Sequence, residues 1–150
     1  MAEPRGRTVL AENRKARHDY AVLETVECGI VLTGTEVKSV RQGSVSLSGS
    51  YAAVLGGELC LLGADIAAYA FGNRFNHEPK SRRKLLVHAR ELESLRLKSE
   101  AKGLSLVPLA VYLKGGRVKL SLGVCRGKRL HDKRETLKDR ALRRDLERGA

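Results

Sequence analysis

The stretch 104–124, LSLVPLAVYLKGGRVKLSLGV, decides the fold. Two apolar runs, Leu104–Leu113 and Val118–Val124, flank Gly115-Gly116. Glycine tolerates the positive φ that a two-residue hairpin turn demands, so this pair predicts two antiparallel strands. Pro108 lacks an N–H and is expected at a strand edge or a bulge. The same device stands upstream, where Gly56-Gly57 separates Tyr51–Leu55 from Glu58–Leu62. Short apolar runs at Tyr20–Leu23 and Gly29–Leu32, bounded by turn-prone residues, add two further strands.

Two segments read as helices. In Thr35–Gly43, Val37 and Val40 are three apart and Gly43 suits a stop. Residues 88–102 have helical composition, with Leu92 and Leu95 facing the core and Gly103 ending the helix. Between the first hairpin and this helix, Ala70–Lys84 holds Gly72, Pro79 and five basic residues, and reads as a long exposed loop. The expected fold is mainly β with short helices. It is a closed antiparallel barrel of about six strands, of the oligonucleotide-binding kind, with two or three flanking helices.

The chain has 150 residues, 42% of them apolar, which suits one compact core. No apolar run is long enough to span a bilayer. Met1–Leu10 carries Glu3, Arg5 and Arg7 and lacks the apolar centre of a secretory signal. Cys28, Cys60 and Cys125 lie far apart, so neither a disulfide framework nor a zinc site is expected. Lys and Arg number 29 against 17 Asp and Glu, a net charge of +12 that calls for a polyanionic partner. The charge is densest after Arg126, where few apolar residues accompany it and no separate core can form. The expected organisation is a body, 1–125, and a basic tail, 126–150, disordered when free and helical on its partner.

Several clusters fit contact with nucleic acid. Asn13-Arg14-Lys15-Ala16-Arg17-His18 concentrates cations able to neutralise phosphates, although a solvated arm has the same composition. Glu27, Glu36 and Lys38 follow, and a carboxylate on a cationic face accepts hydrogen bonds from base amino groups. Lys80-Ser81-Arg82-Arg83-Lys84 places four cations before Leu85-Leu86-Val87, a pattern that suits a folded RNA backbone or a basic loop leading into a buried strand. In the tail, Leu130, Leu137 and Ala141 lie along one helical stripe and Leu142 and Leu146 along another, with cations all round. A membrane-surface helix needs one broad apolar face, so a channel walled by phosphates is the better match. His131 beside Asp132 raises a nuclease reading, but neighbours on a helix diverge by about 100°. Stacking of His131 on an exposed base is favoured. No nucleophile triad, phosphate loop or metal cluster is recognisable, so no catalytic residue and no cofactor is expected. Aromatics make up only 4% of the chain, which argues against base-stacking single-strand binding and for recognition of RNA shape and backbone.

The order Asn13-x-x-Ala16-Arg17-His18-x-Tyr20, Glu27-x-Gly29-Ile30, Gly34-x-Glu36-Val37-Lys38-Ser39, Asn76-His77-x-Pro79, Lys84-Leu85-Leu86 and Gly127-Lys128-x-x-His131-Asp132-Lys133-Arg134 resembles the SmpB family of SsrA-binding proteins over about residues 10 to 140. The resemblance implies a cytoplasmic, monomeric bacterial factor that is not an enzyme. Such a factor binds the tRNA-like part of transfer-messenger RNA (tmRNA). It brings the alanyl-charged RNA, with elongation factor Tu and GTP, to stalled 70S ribosomes. The resemblance implies tmRNA contacts at Asn13, Glu27, Leu86 and Lys119, beside which Arg14, Arg17 and Lys38 are expected to bind the same RNA. It implies that Gly127, Lys128, His131, Asp132, Lys133 and Arg134 enter the decoding centre and empty mRNA channel, with His131 stacked on 16S rRNA and Lys133, Arg134 and Lys138 on phosphates. The chain departs from the family at Ser81, usually basic, and at Cys125-Arg126, usually Ala-Lys. A general cationic RNA chaperone is the competing reading.

Overall fold

The computed structural model describes residues 7–72 and 76–127. The described chain begins with strand β1 (Arg7–Glu12), helix α1 (Arg14–Asp19) and strand β2 (Tyr20–Ile30). Helix α2 (Gly34–Arg41), β3 (Val45–Ser46), β4 (Tyr51–Leu55), β5 (Glu58–Leu62), β6 (Asp65–Ile66) and β7 (Arg83–Leu86) follow. Helix α3 (Ala89–Glu100), β8 (Leu104–Lys114) and β9 (Arg117–Gly127) complete it.

Both Gly-Gly pairs close hairpins as expected. Gly56 and Gly57 have φ of 57° and 79°, and Gly115 and Gly116 have 57° and 76°, so both central residues of each turn occupy the region glycine favours. Pro108 meets its expectation at a bulge, where the β8–β9 register shifts between Pro108 and Ala110. Three strand expectations change. The runs at Tyr20 and Gly29 are one strand, because a shift between Val22 and Glu24 bends β2 without ending its pairing with β9. Arg7–Glu12, unassigned from sequence, pairs with the far end of β8. The body also runs past residue 125, since Arg126 and Gly127 pair with Ala21 and Tyr20.

The large sheet has the order β1-β8-β4-β5-β7-β2-β9, and β8 also pairs with β9. From β8 round to β9 the strands therefore form a ring, to which β1 is added on the outside edge; β3 and β6 form a separate pair. The architecture is mainly β with three short helices among the described residues. Leu59, Leu61, Leu85, Leu95, Leu106, Leu120, Leu122 and their neighbours fill the main core. A second cluster of Ala16, Val107, Leu109 and Cys125 packs separately, with Tyr20 against it, and seats α1 on β8 and β9. Burial pushes the Cys28 thiol up to about 12 and the Cys125 thiol to about 11, so both stay protonated at neutral pH.

The segment read as an exposed loop is instead pinned from within. Arg83 is buried and every one of its N–H groups is matched. Its Nε donates to the Glu36 carboxylate. One terminal nitrogen donates to the carbonyls of Ala64 (3.1 Å) and Ser81 (2.8 Å), and the other to Glu78 (3.1 Å) and Pro79 (2.9 Å). This corrects the expectation that Arg83 belongs to a cationic surface loop. Glu36 also caps α2, accepting from the Thr33 amide at 2.8 Å while its own amide donates to Thr33 Oγ1. His77 adds a second tie. Its Nε2 donates to the Ile66 carbonyl at 2.8 Å, so its Nδ1 accepts from the Thr35 hydroxyl at 2.9 Å. Asn76 bridges back to the amide and carbonyl of Tyr69. Gly72 must be small, because a Cβ there would lie 2.6 Å from Asn76 Nδ2.

Burial alone would raise the Glu36 pKa, but the hydrogen bonds from Thr33 and Arg83 prevail and lower it from 4.5. A carboxylate held below its unfolded value stabilises the fold above that value and loses the contribution as pH falls through the folded one. Arg83→Ala is expected to cost about 3–5 kcal/mol at neutral pH, because it leaves Glu36 buried without its partner. The wild-type advantage over Glu36→Gln in urea unfolding should shrink below pH 4.5. An advantage unchanged to about pH 3 would remove the ionised pair from the account.

Candidate nucleic-acid interface

The ring places three of the expected residues in one patch. Leu86 of β7 pairs with Gly29 of β2, and Gly29 pairs on its other side with Lys119 of β9. In the rows on either side, Leu85 with Ile30 and Cys28 with Leu120 turn inward to the core, so Leu86, Gly29 and Lys119 form a row on the outer face. Leu86 is 49% exposed, as is Val31 two positions beyond Gly29. Glu27 lies two positions before Gly29 on the same face.

Glu27 is held by groups from two other strands. Its Oε2 accepts from the Tyr112 hydroxyl at 2.6 Å, from Arg7 at 2.9 Å and from Lys114 at 3.3 Å. Its Oε1 accepts from Lys114 alone, at 3.3 Å. The Arg7 guanidinium also sits 4.3 Å from the Tyr112 ring centre, a cation–π contact that fixes both. The Tyr112 hydroxyl, then Lys114 and Arg7, lower the Glu27 pKa from 4.5 against the opposing effect of partial burial. Burial, then the bond to Glu27, raises that of Tyr112. The result is an ionised, aimed carboxylate within a cationic surface. Arg7, Tyr112 and Lys114 were not singled out from the sequence. The alternation of Tyr112 and Lys114 along a strand places them on one face, but their meeting with Glu27 depends on a register that no local signal reports.

Helix α2 reaches this same end of the ring. Arg41 in its last turn donates to the Gly116 carbonyl at 2.9 Å. Lys38, one turn earlier, is exposed, with Nζ 5.4 Å from the Tyr69 ring centre.

The remaining expected residues lie elsewhere. Arg14 and Arg17 are exposed on α1, beside Tyr20. Gly29 lies nine positions beyond Tyr20 along β2, roughly 30 Å of strand, so the structure does not bring them to the Glu27 patch. Asn13 is buried, and its amide is fully used inside the protein. It donates to the carbonyls of Pro108 (2.9 Å) and Leu47 (3.2 Å) and accepts from Ala16 as the α1 cap. Lys84 is exposed and faces Glu58 at 3.6 Å. Gly127 is buried at the end of β9 opposite Tyr20. Lys128, His131, Asp132, Lys133, Arg134 and Lys138 lie outside the described residues.

Residues 10–150 match the model of the SmpB protein family. The chain belongs to the SmpB family. The SsrA-binding protein of Staphylococcus haemolyticus (strain JCSC1435) is 54% identical over 140 residues, covering 93% of this chain and 90% of that protein. The SsrA-binding protein of Staphylococcus aureus (strain JH1) is 53% identical over 148 residues, covering 99% and 96%. A solved structure described as "tmRNA-SmpB: a journey to the center of the bacterial ribosome" aligns with a TM-score of 0.68 at 51% identity, over 80% of this chain and 85% of that one. The SmpB match extends through residue 150, so the basic tail is part of the shared sequence.

Tyr112→Phe and Arg7→Ala should each move the Glu27 pKa upward toward 4.5, because each removes a donor to its Oε2. Carbon-detected NMR titration of the side-chain carboxyl reads this directly. A Glu27 value unmoved in both variants would show that Lys114 alone holds the group.

Proposed function

We propose that this chain is a tmRNA-binding factor of trans-translation, acting by binding and not by bond chemistry. The ring is read as an oligonucleotide-binding-like barrel whose Glu27, Leu86, Lys119 and Lys38 end takes the tRNA-like part of tmRNA. The tail, from Lys128 onward, enters the decoding centre and the empty mRNA channel of a stalled 70S ribosome. There His131 stacks on 16S rRNA, and Lys133, Arg134 and Lys138 meet phosphates. Elongation factor Tu with GTP and the alanyl-charged RNA complete the delivery complex, and the factor works as a monomer in the cytoplasm. Asn13 acts in this reading by positioning α1, while Arg14 and Arg17 bind phosphate at the tail end of the ring.

One observation carries this reading. The β2–β9 ladder has Gly29 opposite Lys119 at one end and Tyr20 opposite Gly127 at the other. The described chain therefore ends at the far side of the ring from the Glu27 patch. A factor that grips one RNA while sending a polycation into a second RNA assembly needs that separation.

Two variants test the division. A chain cut after Gly127 should keep its affinity for tmRNA and lose tagging of stalled peptides; full tagging would refute the role of the tail. Lys119→Ala should weaken tmRNA binding and reduce the slope of log K against log salt by roughly 0.7–0.9, the share of one phosphate contact. An unchanged slope would take Lys119 off the interface.

A further inference from the structure

Aromatic residues are few in this chain, and they are not spread evenly. Tyr69, Phe71 and Phe75, half of its four Tyr and two Phe, stand within seven positions. Phe75 lies outside the described residues. Phe71 is 79% exposed, more than any other large apolar side chain among the described residues. A lone exposed apolar residue is ordinary, but this one is held in place. The Tyr69 carbonyl accepts from the Gly72 amide at 2.9 Å and from Asn76 Nδ2 at 2.7 Å, and the Tyr69 amide donates to Asn76 Oδ1 at 3.1 Å. These bonds close a turn over 69–72 with Phe71 at its third position. A Cβ at Gly72 would also lie 3.2 Å from Thr35 Cγ2, so the turn is shut against α2. The Phe71 and Tyr69 rings meet edge to face, with centroids 5.5 Å apart and planes at 67°. That arrangement covers at most one flat face of Phe71. Lys38, whose ammonium lies over Tyr69, has no salt-bridge partner among the described residues. A fixed, open ring beside an uncommitted cation matches one nucleotide, a flat base joined to a phosphate.

We infer that Tyr69 and Phe71 seat one unpaired base of the bound RNA. The base stacks on the open face of Phe71, Tyr69 holds that ring at its tilt, and the adjoining phosphate meets Lys38. Only an unpaired base has a face to give, so the contact falls in a loop of the RNA and not in a helix. The ammonium at the rings favours a polyanion over an apolar groove on a protein. Stacking tolerates every base, so one ring pair adds hold and leaves discrimination to the rest of the face. The inference rests on the reading of the Lys38 end of the ring as the tmRNA interface and adds a site to it.

The test is equilibrium binding of the transcribed tRNA-like domain of tmRNA to full-length variants, with urea unfolding of each. Phe71→Ala should lower affinity about ten-fold, with stability and the slope of log K against log salt unchanged. Lys38→Ala should reduce that slope by roughly 0.7–0.9. Phe71→Leu keeps an apolar side chain without a flat face, and wild-type affinity in it would overturn stacking. Phe71→Trp should keep the affinity and gives a chain without Trp its first one, whose emission should be quenched as RNA saturates the protein. Leu97→Trp, exposed on α3, is the control and should keep its emission. Emission unchanged at residue 71, or quenched equally at both positions, overturns the seat. If Lys119→Ala and Glu27→Ala weaken binding but Phe71→Ala does not, the seat falls and the interface stands. Loss of peptide tagging in that same Phe71→Ala variant would then give the ring to another partner. If none of the three changes affinity, the interface reading itself falls and the seat with it.

Discussion

A buried guanidinium tolerates its position only if all five of its N–H groups find acceptors, and this requirement organises one side of the molecule. Arg83 meets it with Glu36 and four carbonyls drawn from Ala64, Glu78, Pro79 and Ser81. Such a pair adds little net stability over an apolar replacement, because both ions lose their hydration. What it supplies is geometry. Three of the carbonyls belong to the connection that leads into β7, the fourth to the core residue Ala64, and Glu36 belongs to the cap of α2. One side chain thereby fixes the helix, the connection and the first residue of β7. With Arg83 inward, strand alternation sends Lys84 outward, Leu85 inward and Leu86 outward. A slip of one residue would bury Lys84 and turn Leu85 to solvent. The exposure of Leu86 beside Gly29 is therefore a consequence of an ion pair on the opposite face.

The features legible in the sequence are those set by neighbours in the chain. Two Gly-Gly turns, a proline at a bulge and two helices with recognisable stops depend on a few consecutive residues. The features missed depend on distant ones. Arg7–Glu12 is a strand only because β8, about a hundred residues on, offers it an edge. Arg83 was read with Arg82 and Lys84 as one cationic surface because composition counts charge without regard to burial. Asn13 was read with the cations of α1, although its amide holds that helix to the sheet. Glu27, Leu86 and Lys119 are singled out only by the family resemblance. That they are neighbours is a matter of register across three strands, and no local pattern encodes it.

The outer surface is divided by the second core. Ala16, Leu109 and Cys125 close the α1 end with apolar packing. The other end of the same strands is left to charge, where Arg7, Lys114 and Lys119 surround Glu27. A lone glutamate among cations would ordinarily rotate toward whichever was nearest. Here the Tyr112 hydroxyl, itself buried beneath Arg7, fixes Oε2, and the second oxygen keeps acceptor capacity toward solvent. Holding an acceptor still among donors converts a generally attractive basic patch into one with direction. Charge brings a polyanion to the face, and an aimed carboxylate accepts only a donor presented at one place.

That distinction bears on how a protein with few rings recognises one RNA among many. Without an array of aromatic platforms, discrimination must come from the spacing of backbone groups and from hydroxyls. Spacing is read well only by a surface that does not deform. The β2–β9 ladder, paired along nearly its whole length, is such a surface, and it holds the Glu27 patch and the exit at Gly127 about nine residues apart. The separation is not adjustable by side-chain motion, because any change would break consecutive backbone hydrogen bonds. On the proposed reading, an RNA seated at one end of this ladder is placed at a fixed distance from whatever the chain beyond Gly127 meets. In this account, the rigidity of a single pair of strands is what relates the two binding events.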